Sequence, residues 1–172
     1  VRIDKENKDT QWQDAVKKEM KTVRPAFEMH EREIKALVGC QQIRCQFVFD
    51  VKLGEGFRKK ARLVALGNRT QTPATLTCSS VASRDSVRIA LTVAALKELD
   101  TLVCDTEGAC LTAKCREKVW VEAGPEFGQE AGKIVIVRMA LCGLKSSGAA
   151  FRSKLACRSR RLAESSDQTM RF

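Results

Sequence analysis

Residues Ile43–Leu53, IRCQFVFDVKL, decide the fold of this chain. Their odd positions are all apolar, and their even positions are polar except for Val48. A period of two predicts a β-strand with one buried and one solvated face. Gly54-Glu55-Gly56 then supplies a turn, and the alternation resumes over Phe57–Leu66. We therefore predict an antiparallel hairpin whose odd-numbered apolar face packs against helices.

The second strand of this hairpin has a row of cations on its polar face. Arg58, Lys60 and Arg62 share one face of the strand, and Phe57, Ala61, Leu63 and Ala65 share the other, so successive cations lie ~6.5–7 Å apart along the strand. That spacing suits a nucleic-acid backbone or a triphosphate. It is equally typical of a solvated strand face, and the residues alone leave both interpretations open.

Helices and shorter strands are predicted on either side of the hairpin, which gives an α+β fold. Helical periodicity and capping residues predict three helices, and short apolar runs predict three further extended segments. The predicted helices are Thr10–Val23 (capped by Asp9 or Thr10), Ser83–Leu99 and Ser146–Glu164, and the extended segments are Thr101–Cys104, Val119–Glu122 and Ile134–Met139.

Asp105 directly follows the predicted buried strand Thr101–Cys104. A strand would fix the position of this carboxylate, and burial would make it costly unless it were paired. Those features are typical of a functional residue. An acidic residue at a strand end is also common as a turn former or helix cap, so this pattern too has two interpretations.

Composition narrows the function classes. The 172 residues carry 31 Lys+Arg against 21 Asp+Glu, a net charge of +10, which favours polyanionic partners. No apolar run approaches the ~20 residues of a membrane span.

Eight cysteines without a secretory signal indicate reduced thiols in an intracellular compartment. Their spacing does not favour zinc, and a histidine-dependent hydrolase would have to use His30, the one histidine.

Five sequence blocks, in order, resemble the reverse transcriptases of copia-type retrotransposons. The family patterns are K-A-R-L-V-A, S-x-R-x-x-L, D-V-x-x-A-[FY]-L, E-x-[VI]-[YW] with P-x-G-F, and L-Y-G-L-K. The matching segments are Lys60–Ala65, Ser86–Leu91, Asp105–Leu111, Glu117–Trp120 with Pro125–Phe127, and Leu141–Lys145, the last followed by Ser146–Phe151 as in one branch of the family. The resemblance runs from about Trp12 to Leu155.

The resemblance implies the fingers and part of the palm of an RNA-directed DNA polymerase. Its catalytic residue would be Asp105, which would bind Mg²⁺ together with the backbone carbonyl of Thr106. The other roles that it implies are nucleotide binding by Lys60, Arg62, Cys110 and Ser146, and nucleic-acid binding by Arg58, Lys145 and Arg152. Partners would be a template-primer, deoxynucleoside triphosphates, and the polymerase, RNase H and integrase parts of a parent polyprotein.

Several departures from the family pattern bear on activity. Cys110 stands where the family has an aromatic residue that discriminates against ribose, and Cys142 replaces a tyrosine. The two further aspartates of the family lie in a Y-x-D-D hairpin, and no Asp-Asp pair occurs in this sequence. We therefore expect an internal piece of a longer product that is inactive alone and exposes an apolar sheet edge. The alternative is a non-catalytic basic nucleic-acid-binding protein.

The predicted organisation has three parts. Residues 1–9 form an N-terminal flank, residues 10–155 form the fingers and partial palm, and residues 156–172 form a divergent basic C-terminal tail.

Overall fold

The computed structural model describes residues 2–30, 39–53, 56–74, 77–79 and 81–169, and the fold is mixed α and β. This confirms the α+β class. The helices are α1 (Arg2–Asn7), α2 (Gln11–Val23), α3 (Arg84–Leu96) and α4 (Ser147–Thr169), and the strands are β1 (Phe27–His30), β2 (Gln41–Ile43), β3 (Cys45–Lys52), β4 (Arg58–Ala65), β5 (Val119–Glu122) and β6 (Ile134–Val137).

Helix α2 is the predicted amphipathic helix, and it is held at its start by the preceding helix. The Asp4 carboxylate, 1% exposed, accepts hydrogen bonds from the backbone N–H groups of Trp12 and Gln13 at 3.2 and 2.9 Å. Thr10 occupies the N-cap position, one of the two residues predicted there, but its hydroxyl donates to the Asp14 carboxylate, and the capping acceptor is Asp4. The flank predicted for residues 1–9 thus contains a helix, α1, that stabilises α2.

Strands β3 and β4 form the predicted antiparallel hairpin. Phe47 lies opposite Leu63 and Phe49 opposite Ala61, so the apolar positions share one face. Trp12 of α2 packs edge-on against Phe49, with the ring centroids 5.3 Å apart. The first strand is shorter than predicted, because the chain leaves this sheet before Cys45. The turn residues Gly54 and Glu55 lie outside the described part of the chain.

A second sheet has the strand order β1-β6-β5-β2. Strands β1 and β5 pair antiparallel with β6, and β2 pairs parallel with β5. The predicted strand Val119–Glu122 is confirmed as β5, in which Val119 and Val121 are buried. Ile43, predicted to begin the hairpin, belongs to β2 and is buried in this sheet.

The core lies between these sheets and a bend at Leu141–Leu144. Leu141 and Leu144 are buried, and the Cys142 carbonyl accepts a hydrogen bond from the Ala65 N–H at 2.8 Å. Gly143 has a φ of +94°, and a Cβ there would lie 2.1 Å from the Ala65 carbonyl oxygen. Only glycine allows the bend to approach the end of β4 this closely.

Helix α3 lies within the predicted helix Ser83–Leu99, but the rest of the described fold does not cover it. Ser83 caps it as expected, accepting a hydrogen bond from the Ser86 N–H at 3.1 Å. The helix ends at Leu96 instead of Leu99, and none of its residues is buried. Residues 101–106 have no regular secondary structure, and Leu102 and Val103 are more than 90% exposed. The predicted buried strand before Asp105 is therefore wrong.

Helix α4 begins within one residue of the predicted start and runs to Thr169, beyond the predicted end at Glu164. It is continuous across residues 156–169, most of the segment predicted as a divergent tail. All eight cysteines are free thiols.

Candidate functional site

The hairpin, helix α2 and the Asp105 block border one open cleft of about 570 Å³. Its lining comes from α2, from Lys52 and β4, from residues 105–111 and from the Leu141-Cys142 pair. Among the residues that the sequence singled out, the cleft brings together Arg58, Lys60, Arg62, Asp105, Thr106 and Cys110. Lys145, Ser146 and Arg152 do not line it. We call this the main cleft.

The cation row of Arg58, Lys60 and Arg62 lies on β4 as the alternation predicts. Ala61 and Leu63, on the opposite face of the strand, are buried, while Arg58 and Arg62 are exposed and Lys60 is half-buried. None of the three cations forms an ion pair with another residue that the structure describes. Their charge is therefore open to a ligand.

Helix α2 contributes polar residues to which the sequence assigned no functional role. Lys18 and Glu19 line the main cleft, and the Glu19 carboxylate accepts a hydrogen bond from the Leu63 N–H at 3.0 Å. Lys59 places its ammonium 5.2 Å from the centre of the Trp12 ring. The polar face of α2 was visible in the sequence, but nothing local indicated that this face borders β4.

The Asp105 block is positioned by the turn that follows it. Gly108 adopts a left-handed conformation, with a φ of +61°, and begins a 3₁₀ turn over Ala109–Thr112. The Leu111 N–H donates to the Gly108 carbonyl at 2.8 Å, and the Leu111 side chain packs on the main core. Asp105 and Thr106 precede this anchored turn and are exposed. The carboxylate therefore lies at the rim of the main cleft, next to an anchored turn and not at the end of a buried strand.

Two thiols meet in the main cleft. Burial raises the pKa of Cys110, and the neighbouring, hydrogen-bonded Cys142 thiol raises it further. The pair occupies both positions at which the chain departs from the aromatic residues of the resembling family. A neutral thiol at Cys110 is smaller than an aromatic ring and leaves open space beside the cation row.

The acidic side chains do not fit a site for two magnesium ions. Asp105, Glu107 and Glu19 line the main cleft, and Glu19 is bonded to β4. No group of three or more His, Cys, Asp or Glu side chains suited to a metal ion occurs among the described residues. Two-ion sites need several carboxylates around a pair of ions ~3.5–4 Å apart.

Ser146 and Lys145 have structural contacts outside the main cleft. Ser146 is 1% exposed, and both its N–H and its hydroxyl donate to the Glu117 carboxylate at 2.8 Å. The Lys145 ammonium donates to the Thr70 carbonyl at 2.6 Å. A nucleotide in the main cleft would meet neither group, so this geometry favours a structural role for both.

Arg152 lies on α4 and lines a second, separate cleft of about 350 Å³. None of the residues that line this second cleft lines the main cleft. Arg152 therefore belongs to a different surface from the cation row.

Comparison with known proteins adds no family assignment. No protein-family model, no curated protein and no solved structure matches the chain. Within the described residues, no helix has the length and apolar character needed to cross a membrane.

Proposed function

We propose that this chain comprises the fingers and part of the palm of a copia-type reverse transcriptase, and that the main cleft receives the triphosphate of a deoxynucleotide. One observation carries the proposal. Three blocks that resemble the family, far apart in sequence, contribute Lys60, Asp105 and Cys142 to the same cleft. A chance resemblance gives no reason for these blocks to converge.

The charge of the main cleft supports a phosphate ligand. Six basic side chains and three acidic ones line it, and one of the acidic groups, Glu19, is engaged by a backbone N–H. The cation row follows an extended strand, so its charges can lie along a chain of phosphates. Charge-assisted hydrogen bonds to phosphate are about twice as strong as neutral ones.

The proposal does not extend to polymerisation by this chain alone. The acidic groups of the main cleft do not fit the two-ion site of the family, and the sequence has no Asp-Asp pair. Nucleotide and template-primer binding would remain, and chemistry would require the other parts of a parent polyprotein. The free thiols are compatible with an intracellular location, which we include in the proposal.

A non-catalytic nucleic-acid-binding protein is the second candidate. It is favoured by the exposure of Asp105 and by the arginines around the second cleft, which add cationic surface away from the main cleft. In that case phosphate binding would depend on total charge, and no single cleft would dominate.

Equilibrium binding of a fluorescent deoxynucleoside triphosphate distinguishes the two. We expect the double substitution Lys60→Ala and Arg62→Ala to weaken binding at least tenfold, because two of the phosphate contacts are lost. The matched control is Arg44→Ala with Arg69→Ala, which removes the same charge at exposed positions outside the main cleft. It should change affinity less than twofold.

Salt dependence provides a second readout of the same variants. Each lost phosphate contact should make the nucleotide affinity less dependent on salt concentration, because fewer charge pairs are left for salt to screen. Equal losses in both double variants would reject the nucleotide cleft and favour the basic-protein alternative.

A further inference from the structure

One face of helix α4 presents two arginines to the second cleft. Arg152 and Arg160 lie eight residues apart with Ala156 between them, so all three share a helical face. Arg116 and Cys78 line the same cleft, and so does Cys157 of α4. Three guanidinium groups thus border a cleft of about 350 Å³ that no acidic side chain lines. We call it the arginine cleft.

The other two walls of this cleft, at Arg116 and at Cys78, are held close to α4 by contacts elsewhere in the fold. The Glu117 carboxylate accepts two hydrogen bonds from Ser146, which fixes the neighbouring Arg116 beside the start of the helix. A Cβ at Gly148 would lie 3.2 Å from the Ser79 Cβ, so the absence of a side chain there lets residues 77–79 approach the helix. The Cys78 wall depends on that approach.

The charge of the arginine cleft is uncompensated within the described part of the chain. The side chains of Arg116, Arg152 and Arg160 form no ion pair or hydrogen bond with another described residue. Like charges gathered in one concavity repel each other, and an anion removes that cost. Guanidinium groups match phosphate oxygens in a bidentate geometry, and the volume suits a small ligand.

We propose that the arginine cleft binds a phosphate group, either of a nucleic-acid backbone or of a free phosphate compound. This inference extends the nucleic-acid binding that the resemblance implies for Arg152, and it can be tested apart from the nucleotide cleft because no residue is shared with the main cleft. The nucleotide cleft is tested by nucleotide binding to Lys60 and Arg62 variants, and the arginine cleft by cysteine alkylation in Arg116 and Arg160 variants. Either proposal can therefore fail without the other.

The two cysteines of the arginine cleft provide the test. Cys78 and Cys157 are exposed free thiols, and Cys104 is an exposed free thiol outside the cleft. Alkylation of each would be followed by mass spectrometry, with neutral iodoacetamide and with anionic iodoacetate. We expect the iodoacetate-to-iodoacetamide rate ratio at Cys157 to be at least threefold higher than at Cys104. The substitutions Arg116→Gln and Arg160→Gln together should abolish the difference.

Ligand protection tests the unaltered protein, so the result does not depend on a variant that folds. Inorganic phosphate at millimolar concentration should slow Cys157 alkylation at least threefold relative to chloride at equal ionic strength, and leave Cys104 unchanged. Protection by an oligothymidylate at far lower concentration would identify a nucleic-acid backbone as the source; protection by phosphate alone would identify a free phosphate compound. No protection by either probe, or equal rate ratios at Cys157 and Cys104 in the unaltered protein, would overturn the proposal.

Discussion

Helices α2 and α3 have the same length, 13 residues each, and opposite environments. Helix α2 buries Trp12 and Val23 against the rest of the fold. Helix α3 is richer in apolar residues and buries none, and its Ile89 and Leu91 are 64% and 52% exposed. The comparison teaches that helical periodicity predicts the helix and its apolar face, whereas burial depends on a partner that the local sequence does not encode.

The exposed region continues beyond α3. Leu96, Leu99, Leu102 and Val103 are all more than half exposed, so apolar surface extends to the residues before Asp105. Exposed apolar patches of this kind mark interaction surfaces or promote aggregation. The sequence predicted an exposed apolar sheet edge, and the structure exposes a helix and the segment that follows it.

The largest expected effect compares the same substitution in the two regions. Leu141→Ala should lower the free energy of unfolding by about 2–5 kcal/mol, because Leu141 is 1% exposed and the change leaves a cavity. Leu91→Ala on α3 should change it by less than about 0.5 kcal/mol. Urea unfolding followed by circular dichroism measures both. If the two substitutions lowered the free energy of unfolding equally, α3 would be covered by other residues in solution.

A smaller effect is expected from the groups that cap the two helices. Asp4→Ala leaves the N–H groups of Trp12 and Gln13 without their acceptor and should cost about 1–3 kcal/mol of global stability. Ser83→Ala removes the cap of α3, and it should increase hydrogen exchange in α3 while barely changing global unfolding. If Ser83→Ala lowered global stability as much as Asp4→Ala, α3 would be part of the cooperative core.

Most of the hairpin could be predicted from the sequence, because a period of two specifies both strands and their apolar face, which is buried in β4 but only partly covered in β3. The break after Ile43 could not, since pairing with β5 is a contact between residues far apart in the chain. The same reason explains why β1 was missed: it is four residues long and its register is set by β6. The apolar run Thr101–Cys104 has strand-like composition but pairs with no described strand.

The candidate site was predictable in part. The cation row follows from alternation along β4, and Asp105 and Cys110 follow from the resemblance. The contribution of Lys18 and Glu19 could not be foreseen, because it depends on how α2 packs against β4. Ser146 was placed in the site by its motif, yet its hydrogen bonds to Glu117 keep it buried elsewhere.

The smallest expected effect is a change in the pH dependence of stability. It compares the thiol of Cys45, on the hairpin against which α2 packs, with that of Cys104, in the exposed segment after α3. Burial raises the pKa of Cys45 to about 12 from its ordinary value of 9.0. The folded state then keeps the thiol neutral while the unfolded chain ionises, so stability is full below pH 9 and falls as pH rises toward 12. We expect Cys45 to contribute a loss of about 1 kcal/mol between pH 8 and pH 10.

The contribution of Cys45 is measured by comparing the slope of unfolding free energy against pH in the unaltered protein and in two variants. Cys45→Ala should flatten the decline of unfolding free energy with pH, whatever its effect on stability at pH 7. Cys104→Ala, at an exposed thiol, should leave the slope unchanged. Identical slopes for the unaltered protein and Cys45→Ala would show that Cys45 does not stay neutral in the folded state.

Primer extension tests the central claim, an incomplete polymerase with a nucleotide cleft, most directly. The 172-residue chain would be incubated with an RNA template, a DNA primer and deoxynucleoside triphosphates, with magnesium or manganese, beside a complete reverse transcriptase as the positive control. The account predicts no extension by the chain, even at concentrations at which it binds nucleotide through Lys60 and Arg62. Robust extension by the chain, abolished by Asp105→Asn, would contradict it.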